Sequence, residues 1–271
     1  MDSTRSEDGT PIRYFRRGHG PAILLIHGTA ADHSRWAPVV PALQRHFTVC
    51  AMDRRGRGGS GDAAAYRMAD EYADVAAVAA VVAAGAVDVV GHSYGGICAM
   101  ESVFRGARIR RLVLYEPPVA VLQGSVGGGS GRAGEAIGNV RRLITEGDRE
   151  GALTYFYGQI AQIPPRALTA MRALPDWDKQ VSAVHTVLRE LEAMARYELR
   201  PERFRTWSIP TLLLLGGESP PVYRAGIERM QAMLPGSSIG VLEGQGHMAM
   251  KTAPKLFVQA ITEFLGEEKA A

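Results

Sequence analysis

Apolar residues along this chain come in short unbroken runs, each closed by glycine, aspartate or proline. The clearest are "AILLIHG" (22–28), "FTVCAMD" (47–53), "VDVVGHS" (87–93), "RLVLYEPP" (111–118), "TLLLLGG" (211–217) and "SSIGVLEG" (237–244). They are too short for helices and rich in β-branched residues or leucine, so each predicts a strand. Unbroken apolarity, rather than alternation, predicts a parallel sheet covered on both faces. The more polar "PIRYFRRG" (11–18) predicts an antiparallel edge strand.

Helical patterns separate these runs: "WAPVVPALQRHF", the alanine-rich "MADEYADVAAVAAVVAAG" stopping at Gly85, "GGICAMESVFRGA", "YRAGIERMQAMLP" and "APKLFVQAITEFLGEE". Strand–helix alternation predicts an α/β fold with a doubly wound, mostly parallel sheet. Between residues 119 and 205 the alternation breaks. There "LQGSVGGGSGRAGEA" reads as a glycine/serine linker, and the segments after it read as helices. The expected organisation is a core of residues 1–118 and 206–271 with an all-helical insertion at 119–205. That insertion is expected to be a lid over the carboxyl ends of the strands, where such sheets bind ligands.

The third run ends in Gly91-His92-Ser93-Tyr94-Gly95, a G-x-S-x-G pattern opening a helix. A sharp strand-to-helix turn holds such a serine in strained backbone and lifts its hydroxyl off the sheet. A serine hydroxyl needs a base. His247, in the glycine-flanked "GQGHMAM" after the last strand, is the candidate. His185 falls in the insertion, His19 and His46 lie in polar surroundings, and His92 adjoins the serine with its side chain aimed elsewhere by the turn. Acyl transfer also needs donors for the oxyanion. The backbone N–H groups of Thr29, after "LLIHG", and Tyr94, after the serine, suit that role, with His27 bracing the loop.

"HGTAADHSRW", "MDRRGRGGSGD", "GHSYGG", "LLLLGGESPP" and "GQGHMAM", in that order and spacing, resemble the α/β-hydrolase family along nearly the whole chain outside the insertion. The resemblance implies a serine–acid–histidine triad, an oxyanion hole, a lid and an eight-stranded type of sheet. Its usual acid position, counted from Gly216, holds Ser219, which cannot serve. Two carboxylates compete: Glu218 beside it, and Glu116 at the end of "RLVLYEPP". Glu116 is preferred, because relatives similar to haloalkane dehalogenases carry the acid at that strand end. A serine nucleophile disfavours dehalogenase and epoxide-hydrolase chemistry.

The implied activity is hydrolysis of an ester, lactone or thioester through an acyl-enzyme. A non-hydrolytic ligand-binding protein on the same fold is the alternative, as are a C–C bond hydrolase, a cofactor-free perhydrolase and a natural-product tailoring enzyme. The insertion's Tyr155, Tyr157 and Trp177 are candidates for an apolar substrate pocket, or else for the insertion's own core.

Bulk properties narrow the partners. With 271 residues, 46% hydrophobic, the chain can bury one sizeable core. A net charge of +3 and isolated arginine pairs at 16–17, 54–55, 110–111 and 141–142 fit solvated surface, not a nucleic-acid or membrane patch. Cys50 and Cys98 sit among apolar residues and read as buried free thiols of a reducing compartment. No leader-like or membrane-length apolar run occurs, so a cytoplasmic location is expected. "GRGGSG" (56–61) fits G-x-G-x-x-G but opens no helix, so it reads as a structural loop. No cofactor or metal is expected, and the partner is a small acyl substrate. Asp62 and Asp74 read as turn and helix-surface residues.

Overall fold

The structure is a computed structural model, and it describes residues 1–120 and 130–266. Eight strands form one sheet: β1 (Asp2–Arg5), β2 (Pro11–Arg17), β3 (Ala22–Ile26), β4 (Thr48–Met52), β5 (Val87–His92), β6 (Ile109–Tyr115), β7 (Thr211–Gly216) and β8 (Ser238–Leu242). Their spatial order is β1-β2-β4-β3-β5-β6-β7-β8. The β1–β2 and β2–β4 pairs are antiparallel and all later pairs are parallel. All six apolar runs are strands. The polar segment Asp2–Arg5 takes the outer edge, so "PIRYFRRG" lies one place inside it. A four-residue polar strand leaves no periodic signal to read.

The helices are α1 (Val40–Leu43), α2 (Met68–Val82), α3 (Tyr94–Ser102), α4 (Ser130–Thr145), α5 (Arg149–Tyr155), α6 (Pro165–Arg172), α7 (Trp177–Ser182), α8 (Val184–Met194), α9 (Pro221–Met233), α10 (Ala249–Thr252) and α11 (Pro254–Gly266). Period-2 strands and a period-3.6 helix meet on one face of the sheet. Ile23, Leu25, Val49, Ala51, Val113 and Leu214 pack there with Trp36 and Leu43. Phe257, Ile261 and Leu265 of α11, spaced four apart, close that face. Each fully buried side chain of this size contributes roughly 1.5–3 kcal/mol.

Three local expectations change. "WAPVVPALQRHF" forms only a 3₁₀ turn at His33–Trp36 and the one-turn α1, because Pro38 and Pro41 lack the N–H that a longer helix needs. Helix α2 stops at Val82, where Ala83 is already extended, so Gly85 lies beyond the stop. Of the glycine/serine linker, residues 121–129 lie outside the described residues, while its second half is helical from Ser130.

The chain divides into two compact units, Met1–Pro118 with Arg200–Ala271, and Val119–Leu199. Residues 200–205, expected in the insertion, belong with the sheet. Phe204 is fully buried against Phe104 and Trp207, and Arg203 pairs with Glu101 at 2.8 Å. In the smaller unit the described elements are helical, and a π-helical turn at Phe156–Ile160 continues α5. Among the described residues, no helix is long and apolar enough to cross a membrane.

Candidate active site

Ser93 joins β5 to α3 with φ 53° and ψ −126°, a region that side-chain-bearing residues rarely occupy. Its glycine neighbours make the turn possible. A Cβ on Gly95 would stand 2.4 Å from the His27 carbonyl oxygen, and one on Gly91 would stand 2.6 Å from Gly96 Cα. The Ser93 N–H donates to the Tyr115 carbonyl at 2.9 Å, which locks the turn to β6. Ser93 itself is half-buried, not sealed in the core. It caps the N-terminus of α3, where the first N–H groups lack intrahelical acceptors and favour negative charge.

His247 follows β8 and is 8% exposed. Its Nδ1 lies 2.5 Å from Glu116 Oε2. The other carboxylate oxygen of Glu116 accepts the Gly216 N–H at 2.7 Å. Glu116 is fully buried just past β6 and holds a φ of 47°. The Tyr223 ring stacks on His247 at 4.5 Å, and the His92 ring sits 4.6 Å away. His92 Nε2 lies 2.9 Å from the His247 carbonyl oxygen, so it donates there. The Tyr115 hydroxyl donates to the Gly246 carbonyl and accepts the Ala249 N–H at 3.3 Å, bracketing the histidine loop from both ends. Burial, then the Glu116 charge, raises the Tyr223 hydroxyl pKa, so it stays protonated.

Glu218 is exposed, and its backbone N–H donates to the Gln245 carbonyl at 2.8 Å. The structure thus brings Glu116, and not Glu218, to His247. The hydroxyl of Ser219 is buried without a hydrogen-bond partner among the described residues.

The loop after β3 closes on the serine. A Cβ on Gly28 would lie 2.9 Å from Ser93 Cβ and 3.2 Å from His92 Nδ1, so only glycine permits this approach. His27 sets the loop. Its Nε2 accepts the Arg54 N–H at 3.1 Å, so Nδ1 carries the proton and donates to the Gly28 carbonyl at 2.8 Å. That carbonyl shares a planar peptide with the Thr29 N–H, so holding one fixes the direction of the other. Burial first, then Arg54 and Arg57, holds the His27 pKa well below its usual value and keeps the ring neutral. Thr29 is half-buried. Tyr94 is buried, with the Arg54 guanidinium 4.4 Å from its ring centre and its hydroxyl 2.5 Å from that of Tyr66.

Beneath the site, the "RR" of "MDRRGRGG" is buried instead of solvated. Arg54 forms a two-pronged pair with Glu71 at 2.7 Å on each arm. Arg55 does the same with Asp74 at 2.7 and 2.6 Å. Asp74 is therefore core, not helix surface, because a guanidinium taken from water needs a buried carboxylate. The glycines let this loop turn tightly. Gly58 has φ 54°, and a Cβ there would stand 2.2 Å from the Asp53 carboxyl. Asp53 accepts from the His33 and Gly59 N–H groups. Ligand atoms of Asp32, His33 and Asp53 lie within 4.8 Å of one another, but hydrogen bonds within the loops engage all three.

In the smaller unit, Tyr157 and Trp177 are internal. The Tyr157 hydroxyl donates to Gln180 at 2.6 Å, the Trp177 indole donates to Glu150 at 3.1 Å, and their rings lie 6.2 Å apart. Tyr155 is half-buried and lines a cavity of about 740 Å³ within that unit, together with Thr154, Gln159, Ile163 and Leu168. Its hydroxyl accepts from Asn139 at 3.1 Å.

Sequence reasoning missed the residues that frame the histidine. Tyr115 had a signal, since it directly precedes the strand-end glutamate. Tyr223 and the role of His92 had none, because a ring contact from α9 and a hydrogen bond across 155 residues leave no local pattern.

Comparison with known proteins shows the family. Residues 23–260 match the sequence profile described as "Alpha/beta hydrolase family". A crystal structure of an alpha/beta hydrolase from Sphaerobacter thermophilus is similar at a TM-score of 0.83 and 32% identity, covering 97% of this chain and 100% of that one. The 2-(acetamidomethylene)succinate hydrolase of Mesorhizobium japonicum is 28% identical over 92% of this chain and 89% of its own. The (E)-2-((N-methylformamido)methylene)succinate hydrolase of Acinetobacter baylyi is 28% identical over 93% of each. The chain belongs to the alpha/beta hydrolase family and is an enzyme of that family.

Proposed function

We propose that the enzyme is a serine hydrolase acting on a small ester, lactone or thioester, with Ser93 as nucleophile, His247 as base and Glu116 as its carboxylate partner. The observation that carries this reading is the 2.5 Å contact between His247 Nδ1 and the fully buried Glu116. With Nδ1 so engaged, Nε2 is the nitrogen left to serve the serine hydroxyl. As Ser93 Oγ attacks the carbonyl carbon, its proton passes to Nε2. The carbonyl oxygen becomes an oxyanion received by the Thr29 and Tyr94 N–H groups. Collapse breaks the bond to the leaving group, which takes the proton from His247. Water then attacks the acyl-enzyme, giving its proton to Nε2, and the acid departs as Ser93 is reprotonated. Glu116 stabilises the imidazolium in both halves. Glu218 has no part in these steps, and they call for no cofactor or metal.

By its place in the chain, between β6 and β7, the helical unit is proposed as the element that selects substrate. Tyr155 is retained there as a substrate contact, since Tyr157 and Trp177 are committed to internal packing. The two buried free cysteines fit a reducing, cytoplasmic setting.

A second reading concerns the substrate. Two relatives, matched over more than nine-tenths of this chain, are named as hydrolases of acetamido- or formamido-methylenesuccinates. This favours a 2-(acylaminomethylene)succinate, an N-acyl enamine, as the substrate cleaved on the same triad. A panel of p-nitrophenyl esters of rising chain length, lactones, thioesters and N-acyl enamines separates the two. Turnover of esters or lactones by wild type, abolished in Ser93→Ala, supports the first reading. Exclusive turnover of the enamides supports the second, and no turnover of any class favours a ligand-binding role.

A further inference from the structure

We propose that His92 is a positioning residue that ties the main chain of His247 to the turn carrying Ser93. The inference rests on the Ser93–His247–Glu116 reading and adds a fourth side chain to it. Glu116 holds the imidazole at Nδ1 and Tyr223 stacks on its face, but neither ties the main chain that carries the ring to the serine turn. A second fixed point is needed, and it must be fixed relative to the serine. His92 supplies it. It directly precedes Ser93 at the end of β5, and its Nε2 donates to the His247 carbonyl at 2.9 Å. Its ring also lies against the His247 ring, with centres 4.6 Å apart.

The surroundings fix the form of His92. Nε2 faces a carbonyl oxygen, so it carries the proton. Nδ1 then presents its lone pair, buried and without a hydrogen-bond partner among the described residues, beside Gly28. Trp36 and Tyr115 pack around the ring, which is 4% exposed. Burial, then His247 and Arg35, holds its pKa well below the usual histidine value, so it remains a neutral donor. A neutral donor suits the place, since a cation there would oppose the imidazolium that forms on His247 in each turnover. His92 thus touches all three parts of the machinery: the serine turn by the chain, the Gly28 loop by packing, and the histidine loop by a hydrogen bond.

The test compares His92→Phe, which keeps a ring but loses the donor, with His92→Gln, whose amide places a donor near the Nε2 position. Each is measured for kcat and KM on p-nitrophenyl acetate, for thermal unfolding, and for the proton resonance of the His247 Nδ1–H. Loss of the donor is expected to lower kcat by roughly 10- to 100-fold, with KM within about twofold. His92→Gln is expected to regain most of that loss. The resonance should be sharp in wild type and His92→Gln and broadened in His92→Phe. Unchanged kcat in His92→Phe, or a glutamine variant as impaired as the phenylalanine one, would overturn the proposal. If wild type turns over only N-acyl enamines, kcat and KM are read on those instead; if it turns over no substrate class, the triad reading fails and the resonance alone decides: broadening in His92→Phe supports the positioning role, and its absence refutes it. His92→Met replaces His92→Phe if the latter does not fold.

Discussion

Glu116 and His247 are 131 residues apart in sequence and 2.5 Å apart in space. The contact depends on strand order. Placing β6 between β5 and β7 puts the residue after β6 beside the loop that follows β8. Glu116 completes the approach by adopting a φ of 47°, a strained conformation held by hydrogen bonds to β7: its N–H donates to Leu214 and its carboxylate accepts from Gly216.

Glu116→Gln should therefore lower kcat by roughly 10³- to 10⁴-fold, since an amide cannot hold the imidazole in the required tautomer or stabilise its cation. Glu218→Gln, on an exposed side chain, should change kcat less than about twofold. Steady-state kinetics on the two purified variants make the comparison. The opposite ranking would move the acid to position 218.

Glycine at position 28 is a requirement of the site. A methyl group there would press on Ser93 Cβ at 2.9 Å and His92 Nδ1 at 3.2 Å, neither of which ends a flexible side chain. Gly28→Ala should reduce kcat by about tenfold or more while the protein stays folded. Gly85→Ala, which meets nothing within 4 Å, should be silent in kcat. Equal activity of the two variants would mean that the Gly28 loop does not serve the reaction.

The buried Arg54–Glu71 pair predicts a pH-dependent stability. Burial alone would raise the Glu71 pKa. The Arg54 and Arg57 charges and hydrogen bonds from Arg54 and Tyr66 outweigh it, so Glu71 titrates below the usual 4.5. A depressed folded pKa means that the contribution is complete above the unfolded value and is lost as pH falls through the folded one. Glu71→Gln should cost roughly 3–5 kcal/mol near pH 7, because it strands a buried guanidinium. The gap to wild type should narrow as pH drops below about 4.5. Urea unfolding of both proteins from pH 7 downward measures this, and a constant gap would contradict it.

Much of the fold was legible because its signals are local. Six apolar runs closed by turn residues, spaced by helical patterns, are what a parallel sheet imposes on a chain. The serine turn was legible for the same reason, since Gly91 and Gly95 stand where any side chain would strike backbone. Position 116 could be named from its strand end, but spacing alone could not choose it over Glu218, because the choice depends on which strand neighbours which. The arginine pair at 54–55 misled. Nothing local distinguishes a solvated guanidinium from one whose carboxylate lies 17 or 19 residues away on α2. The packing of the Tyr223 and His92 rings against His247 is likewise purely tertiary.

The most direct measurement is labelling of the intact protein with a fluorophosphonate, read by mass spectrometry with the modified peptide sequenced. One adduct per chain should form rapidly, on Ser93. It should vanish in Ser93→Ala and slow by orders of magnitude in His247→Ala. A folded wild-type protein that takes up no label, or takes it up at another residue, would contradict the serine-hydrolase account.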